Sequence, residues 1–82
     1  MLHIRRVHGH SMIPTLRPGK VVFFRKTKKY KVGDIVLVEY KDTEYVKRID
    51  SFEKKSVNLR GDNQLDSKDF KVSVDRIKAK KI

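Results

Sequence analysis

Gly33-Asp34-Ile35-Val36-Leu37-Val38-Glu39-Tyr40-Lys41-Asp42-Thr43-Glu44-Tyr45-Val46-Lys47-Arg48-Ile49-Asp50 decides the fold. Two runs rich in β-branched and aromatic residues, 34–40 and 44–50, flank Lys41-Asp42-Thr43, a connection short enough to close an antiparallel hairpin. Gly33-Asp34 marks the entry to the first run. Ile35-Val36-Leu37-Val38 is apolar at every position rather than at alternate ones. A strand buried on both faces requires that pattern, so this strand belongs in the middle of a sheet.

Outward from the hairpin, short segments rich in Val, Ile and Phe recur at 2–8, 21–25, 57–60 and 76–80, bounded by turn residues or Lys-rich connections. Helical periodicity is scarce. The pattern predicts one all-β domain over residues 1–82, without repeat, linker or low-complexity tract, and the basic run at 26–31 reads as a solvated loop. A chain of 82 residues buries only about 60–65% of the surface its unfolded form exposes, so its core is thin. It has no cysteine to form a disulfide or a thiolate metal site, a composition that fits a reducing compartment and an expected cytoplasmic location.

Twenty-one Lys and Arg against ten Asp and Glu give a formal charge of +11. Nucleic acid, an anionic lipid surface and an acidic substrate would each satisfy that charge, because electrostatic attraction is indifferent to what carries the anion. The longest apolar run, 35–38, falls far short of the roughly 18 residues that span a bilayer, and 1–7 lacks a signal peptide's apolar stretch.

Gly9-His10-Ser11-Met12-Ile13-Pro14-Thr15-Leu16 breaks regular structure after the first strand, since Pro14 lacks an N–H and restricts Ile13 to extended conformations. Ser11 at such a junction suits a nucleophile, and it equally suits an ordinary turn serine. A serine hydroxyl needs a base. His3, His8 and His10 precede Ser11; continued strand alternation would put His8 and His10 on one face and Ser11 on the other, out of reach of its hydroxyl. They lack further ligands at metal-binding spacing, so neither a metal nor another cofactor is expected. Lysine is the other base, once burial or a neighbouring cation makes it neutral. Alternation places Lys47 on the face of Tyr45 and Ile49, and Arg48 with Glu44, Val46 and Asp50. Lys47 is therefore the cation with apolar neighbours, although a lysine snorkelling over a half-exposed face has the same pattern. Gly61-Asp62-Asn63 and the polar stretch to Asp69 read as a surface turn.

In this order, Ser11-Met12-Ile13-Pro14-Thr15-Leu16, Gly33-Asp34-Ile35-Val36, Val46-Lys47-Arg48-Ile49, and Gly61-Asp62-Asn63 with Ser67 and Asp69 resemble the motif boxes of type I signal peptidases. The resemblance runs from about Val7 to Lys71 and implies the coiled β-sheet core shared by signal peptidases and LexA-like repressors. It implies Ser11 as nucleophile, Lys47 as general base, Ser67 as the hydroxyl that orients that lysine, and Met12 packed beside the pair. The Ser11 N–H would form part of the oxyanion hole. Gly9 stands where many bacterial signal peptidases carry a serine that completes the hole, so Gly-x-Ser-Met is closer to the mitochondrial, endoplasmic-reticulum and repressor branches. Phe70-Lys71 replaces the Ser-Arg expected after Asp69, which weakens the supporting acid–base pair. Only 13 residues separate Lys47 from Gly61, leaving no room for the second β domain of many bacterial enzymes. In size the chain looks closest to maturation proteases of nickel-type superoxide dismutase.

The resemblance thus implies a serine endopeptidase with a Ser/Lys dyad that cuts a signal or propeptide segment, bound as an extended strand, in trans. Self-cleavage is disfavoured because the single alanine, Ala79, precedes Lys80 rather than glycine. The competing class is a retired protease core or basic β module that binds nucleic acid or anionic lipid. Phe23, Phe24 and Phe52 form no nucleic-acid motif, so peripheral contact with an anionic membrane is the expected charged partner ahead of nucleic acid.

Overall fold

The computed structural model describes residues 1–65 and 69–82. Its strands are β1 (Leu2–Arg6), β2 (Val21–Arg25), β3 (Ile35–Tyr40), β4 (Thr43–Glu53), β5 (Ser56–Arg60), β6 (Phe70–Ser73) and β7 (Ile77–Lys81), with a short 3-10 turn at Val74–Arg76. They form one antiparallel sheet in the order β1-β2-β7-β3-β4-β5-β6.

The β3–β4 hairpin closes where the sequence predicts, one residue tighter, because Thr43 pairs with Tyr40 instead of joining the loop. Lys41 and Asp42 both take positive φ, 50° and 63°, which lets a two-residue turn follow the right-handed twist of its strands. β3 lies at the centre of the sheet, as its unbroken apolar run requires. Ile35 and Leu37 pack on one face with Val7, Met12, Leu16, Val22, Phe24 and Ala79. Val36 and Val38 pack on the other with Ile49, Val57, Leu59, Val72 and Ile77. With no α-helix among the described residues to cover either face, the sheet must coil over itself to bury both. β2 and the chain from Val7 to Leu16, which includes the Ser11 segment, cover the first face; β5 and β6 cover the second. A register shift between Ile49 and Ser51 adds a residue to the eleven-residue β4 and sharpens its twist toward β5.

Three expectations need correction. β1 ends at Arg6, so strand alternation does not extend to His8, His10 or Ser11. β4 continues to Glu53 and turns into β5 at Lys54, whose φ of 50° carries a bend that no Gly or Asn announces. Phe70-Lys71-Val72-Ser73 forms β6, a strand of four residues whose alternation is too brief to stand out from the polar segment before it.

Candidate active site

The four motif segments lie far apart in sequence and are joined by one set of hydrogen bonds. The Asp62 carboxylate accepts from Arg48 Nε at 2.8 Å and from a second guanidinium nitrogen at 2.7 Å. It also accepts from the Thr15 hydroxyl, in the Ser11 segment. Arg48 donates in turn to the Gly33 carbonyl at 2.7 Å. The Asn63 backbone N–H donates to the Ser11 carbonyl at 2.8 Å and its side-chain amide to the His10 carbonyl at 2.9 Å. The Gly-Asp-Asn stretch that reads as a surface turn is therefore the clamp that holds the Ser11 loop to β4. Sequence reasoning missed this clamp, although Arg48 and Asp62 both stood inside the quoted motifs, because nothing in a strand pattern shows which loop a charged side chain reaches.

The hydrogen bonds from Arg48, opposed by partial burial, hold the Asp62 carboxyl below its ordinary 3.8. A lowered folded-state value contributes stability that is complete above the unfolded value and is lost as pH falls through the folded one. Asp62→Asn should cost about 2–4 kcal/mol at neutral pH, since it leaves the part-buried guanidinium without its anion. It should also remove the share of acid destabilisation below about pH 4 that belongs to this group. Urea melts of both proteins at pH 7 and pH 3 would measure each effect; equal losses at the two pH values would contradict it.

Gly9 has a φ of 77°, and a Cβ built there meets nothing within 4 Å. The backbone conformation, not space, calls for glycine. Gly9→Ser, which would install the hydroxyl found at this position in many bacterial signal peptidases, should destabilise the fold by about 1 kcal/mol. A thermal melt that shows no loss would contradict the strain argument.

β1 pairs only with β2, and among the described residues Thr43–Lys47 of β4 pairs only with β3, because pairing with β5 begins at Arg48. These two free edges border a groove of about 390 Å³ lined by Arg5, Arg6, Val7 and His8 on one side and Glu44–Lys47 on the other. Ser11 and Met12 close one part of it, with Leu37 and Val46 among its apolar lining. Arg5 spans the groove to Glu44 with bonds of 2.7 and 3.0 Å, and Lys78 reaches the same carboxylate at 2.7 Å. Donation first from Arg5 and then from Lys78 holds Glu44 down to about 2.

Ser11, Met12 and Lys47 thus come to one groove from separate segments. Met12 is 2% exposed and anchors the Ser11 loop in the core. Lys47 is 6% exposed, with Val36 opposite it in the ladder and the Phe70 ring centroid 5.9 Å from Nζ. It also lines a second recess with Tyr40, Tyr45, Asp69 and Phe70, which places Asp69 near the lysine. Lys71 pairs with Glu53 at 2.9 Å. Ser67 lies outside the described residues. His8 lines the Ser11 groove, contrary to the strand-face expectation, because the chain has already left β1. Among the described residues, no three His, Asp or Glu side chains gather into a group that could hold a metal ion.

No curated protein and no solved structure matches the chain. A family model does, over residues 2–80, a span that takes in the coiled sheet, the Ser11 loop and the clamp that fixes it. This chain belongs to the Peptidase S24-like family.

Proposed function

We propose that the protein is a serine endopeptidase that cuts a signal or propeptide segment in trans, with Ser11 as nucleophile and Lys47 as general base. The observation that carries this reading is the meeting of Ser11 and a nearly buried lysine in one groove between two unpaired strand edges. An extended peptide can add to such an edge through its main chain, and side chains at alternate positions then enter the groove. The apolar lining from Met12, Leu37 and Val46 suits a small apolar residue before the scissile bond.

In the reaction, neutral Lys47 takes the Ser11 hydroxyl proton as Oγ attacks the carbonyl carbon. The Ser11 N–H is the first candidate donor to the resulting oxyanion. Collapse of the tetrahedral intermediate breaks the C–N bond, and the Lys47 ammonium returns a proton to the departing amine. The acyl group remains on Oγ as an ester. Lys47 then deprotonates water, which attacks the ester, releases the carboxylate and restores Ser11. Cleavage in trans is supported by Ala79, which is buried within β7 between β2 and β3 and is not presented to the groove. Incubation with a peptide library rich in small residues before the cut, read by mass spectrometry, tests the proposal; no cleavage of any member would overturn it.

A further inference from the structure

The outer face of the β1–β2 ribbon carries a second feature, separate from the groove. Ladder pairing sets Leu2 opposite Arg25, Ile4 opposite Phe23 and Arg6 opposite Val21, so these six side chains share one face. Leu2, Ile4 and Phe23 are 51%, 53% and 49% exposed, and Val21 is exposed as well. Ile82, also exposed, extends the apolar surface, held beside Phe23 by its N–H bond to the Phe23 carbonyl at 3.0 Å. An arginine stands at each of two diagonal corners, and Lys20 and Lys81 border the recess beside Phe23. A contiguous apolar face on so small a domain marks an interaction surface.

We propose that this face docks peripherally on an anionic lipid bilayer. The first 33 residues carry nine Lys and Arg and no Asp or Glu, and two of the nine, Arg6 and Arg25, stand on the face itself, with Lys20 beside it. A second copy of the chain would bring cation against cation at the rim. A nucleic acid would meet aliphatic side chains where stacking needs aromatic planes, with Phe23 the one aromatic on the face. An anionic bilayer supplies both required layers, phosphates level with Arg6, Arg25, Lys20 and Lys81 and acyl chains for Leu2, Ile4 and Phe23. No helix among the described residues is long and apolar enough to cross a membrane, and the proposed contact requires none.

The test is co-sedimentation with vesicles of phosphatidylcholine alone and with about 30% phosphatidylglycerol. The parent should bind the anionic vesicles preferentially and lose binding as salt rises from about 0.1 M to about 0.5 M. Leu2→Ser/Phe23→Ser, which leaves every charge in place, should bind at least about tenfold more weakly, with an unchanged circular dichroism spectrum. Phe23→Trp, the sole tryptophan in the chain, should shift to the blue on binding and be quenched by brominated acyl chains. A double variant that binds like the parent would show adsorption by charge alone and overturn the proposal. Loss of oligonucleotide binding without loss of vesicle binding would assign the face to nucleic acid. Parent self-association abolished in the double variant, without vesicle binding, would assign it to a second copy. Ser11→Ala should bind vesicles as the parent does, so this result stands apart from the peptidase reading.

Discussion

Ser11→Ala is expected to lower peptide cleavage by about 10⁴-fold or more while shifting the melting temperature by no more than about 3 °C. The two effects separate because the structural task of Ser11 falls to its backbone. Its carbonyl accepts the Asn63 N–H at 2.8 Å, and alanine keeps that bond. Met12, buried beside it, and the Thr15–Asp62–Arg48 contacts hold the loop whatever side chain stands at 11. On the proposed mechanism, only the nucleophile is lost. Cleavage of the small-residue peptide library, followed by mass spectrometry beside a thermal melt, measures both quantities. Parent-level cleavage by a folded Ser11→Ala protein would remove Ser11 from the reaction. A large drop in melting temperature would show instead that the hydroxyl supports the fold.

The sequence revealed most where a residue's role depends on its own strand. The central position of β3 follows from four consecutive apolar residues, and the inward turn of Lys47 follows from its sharing a face with Tyr45 and Ile49. Alternation is a local rule, and these positions obey it. It misleads at His8, because β1 stops at Arg6 and the chain's next direction depends on Gly9 and on the distant Asn63. Asp62 was harder still. Its partners, Thr15 and Arg48, lie 47 and 14 residues away, and the turn signal of Gly-Asp-Asn accounts for the local chain without them. The groove is equally illegible in advance, since it arises where β5 fails to pair with the first half of β4, a consequence of sheet coiling rather than of any residue type.

Lys47→Arg should be as inactive as Lys47→Ala, although it conserves charge. A base must hold a free lone pair. Bringing a lysine amine from about 10.4 to about 7–8 costs roughly 4 kcal/mol, within the reach of burial, whereas arginine keeps its proton throughout the working pH range. Burial of Lys47 to 6% exposure beside Val36 and Ile49 disfavours the ammonium, while the Phe70 ring favours it. The ring centroid lies 5.9 Å from Nζ, at the outer limit of an effective cation–π contact worth about 0.5–2 kcal/mol. Cleavage should therefore rise with pH as the lysine loses its proton, then level off. Lys47→Met supplies the complementary case. It keeps a straight chain of similar volume and removes the cost of burying an amine, so it should be inactive yet melt no lower than the parent. A pH–rate profile with activity and melting measurements on all three variants distinguishes the roles. Full activity in Lys47→Arg, or a rate flat from about pH 6 to about pH 10, would leave Lys47 a structural cation and require another base for Ser11.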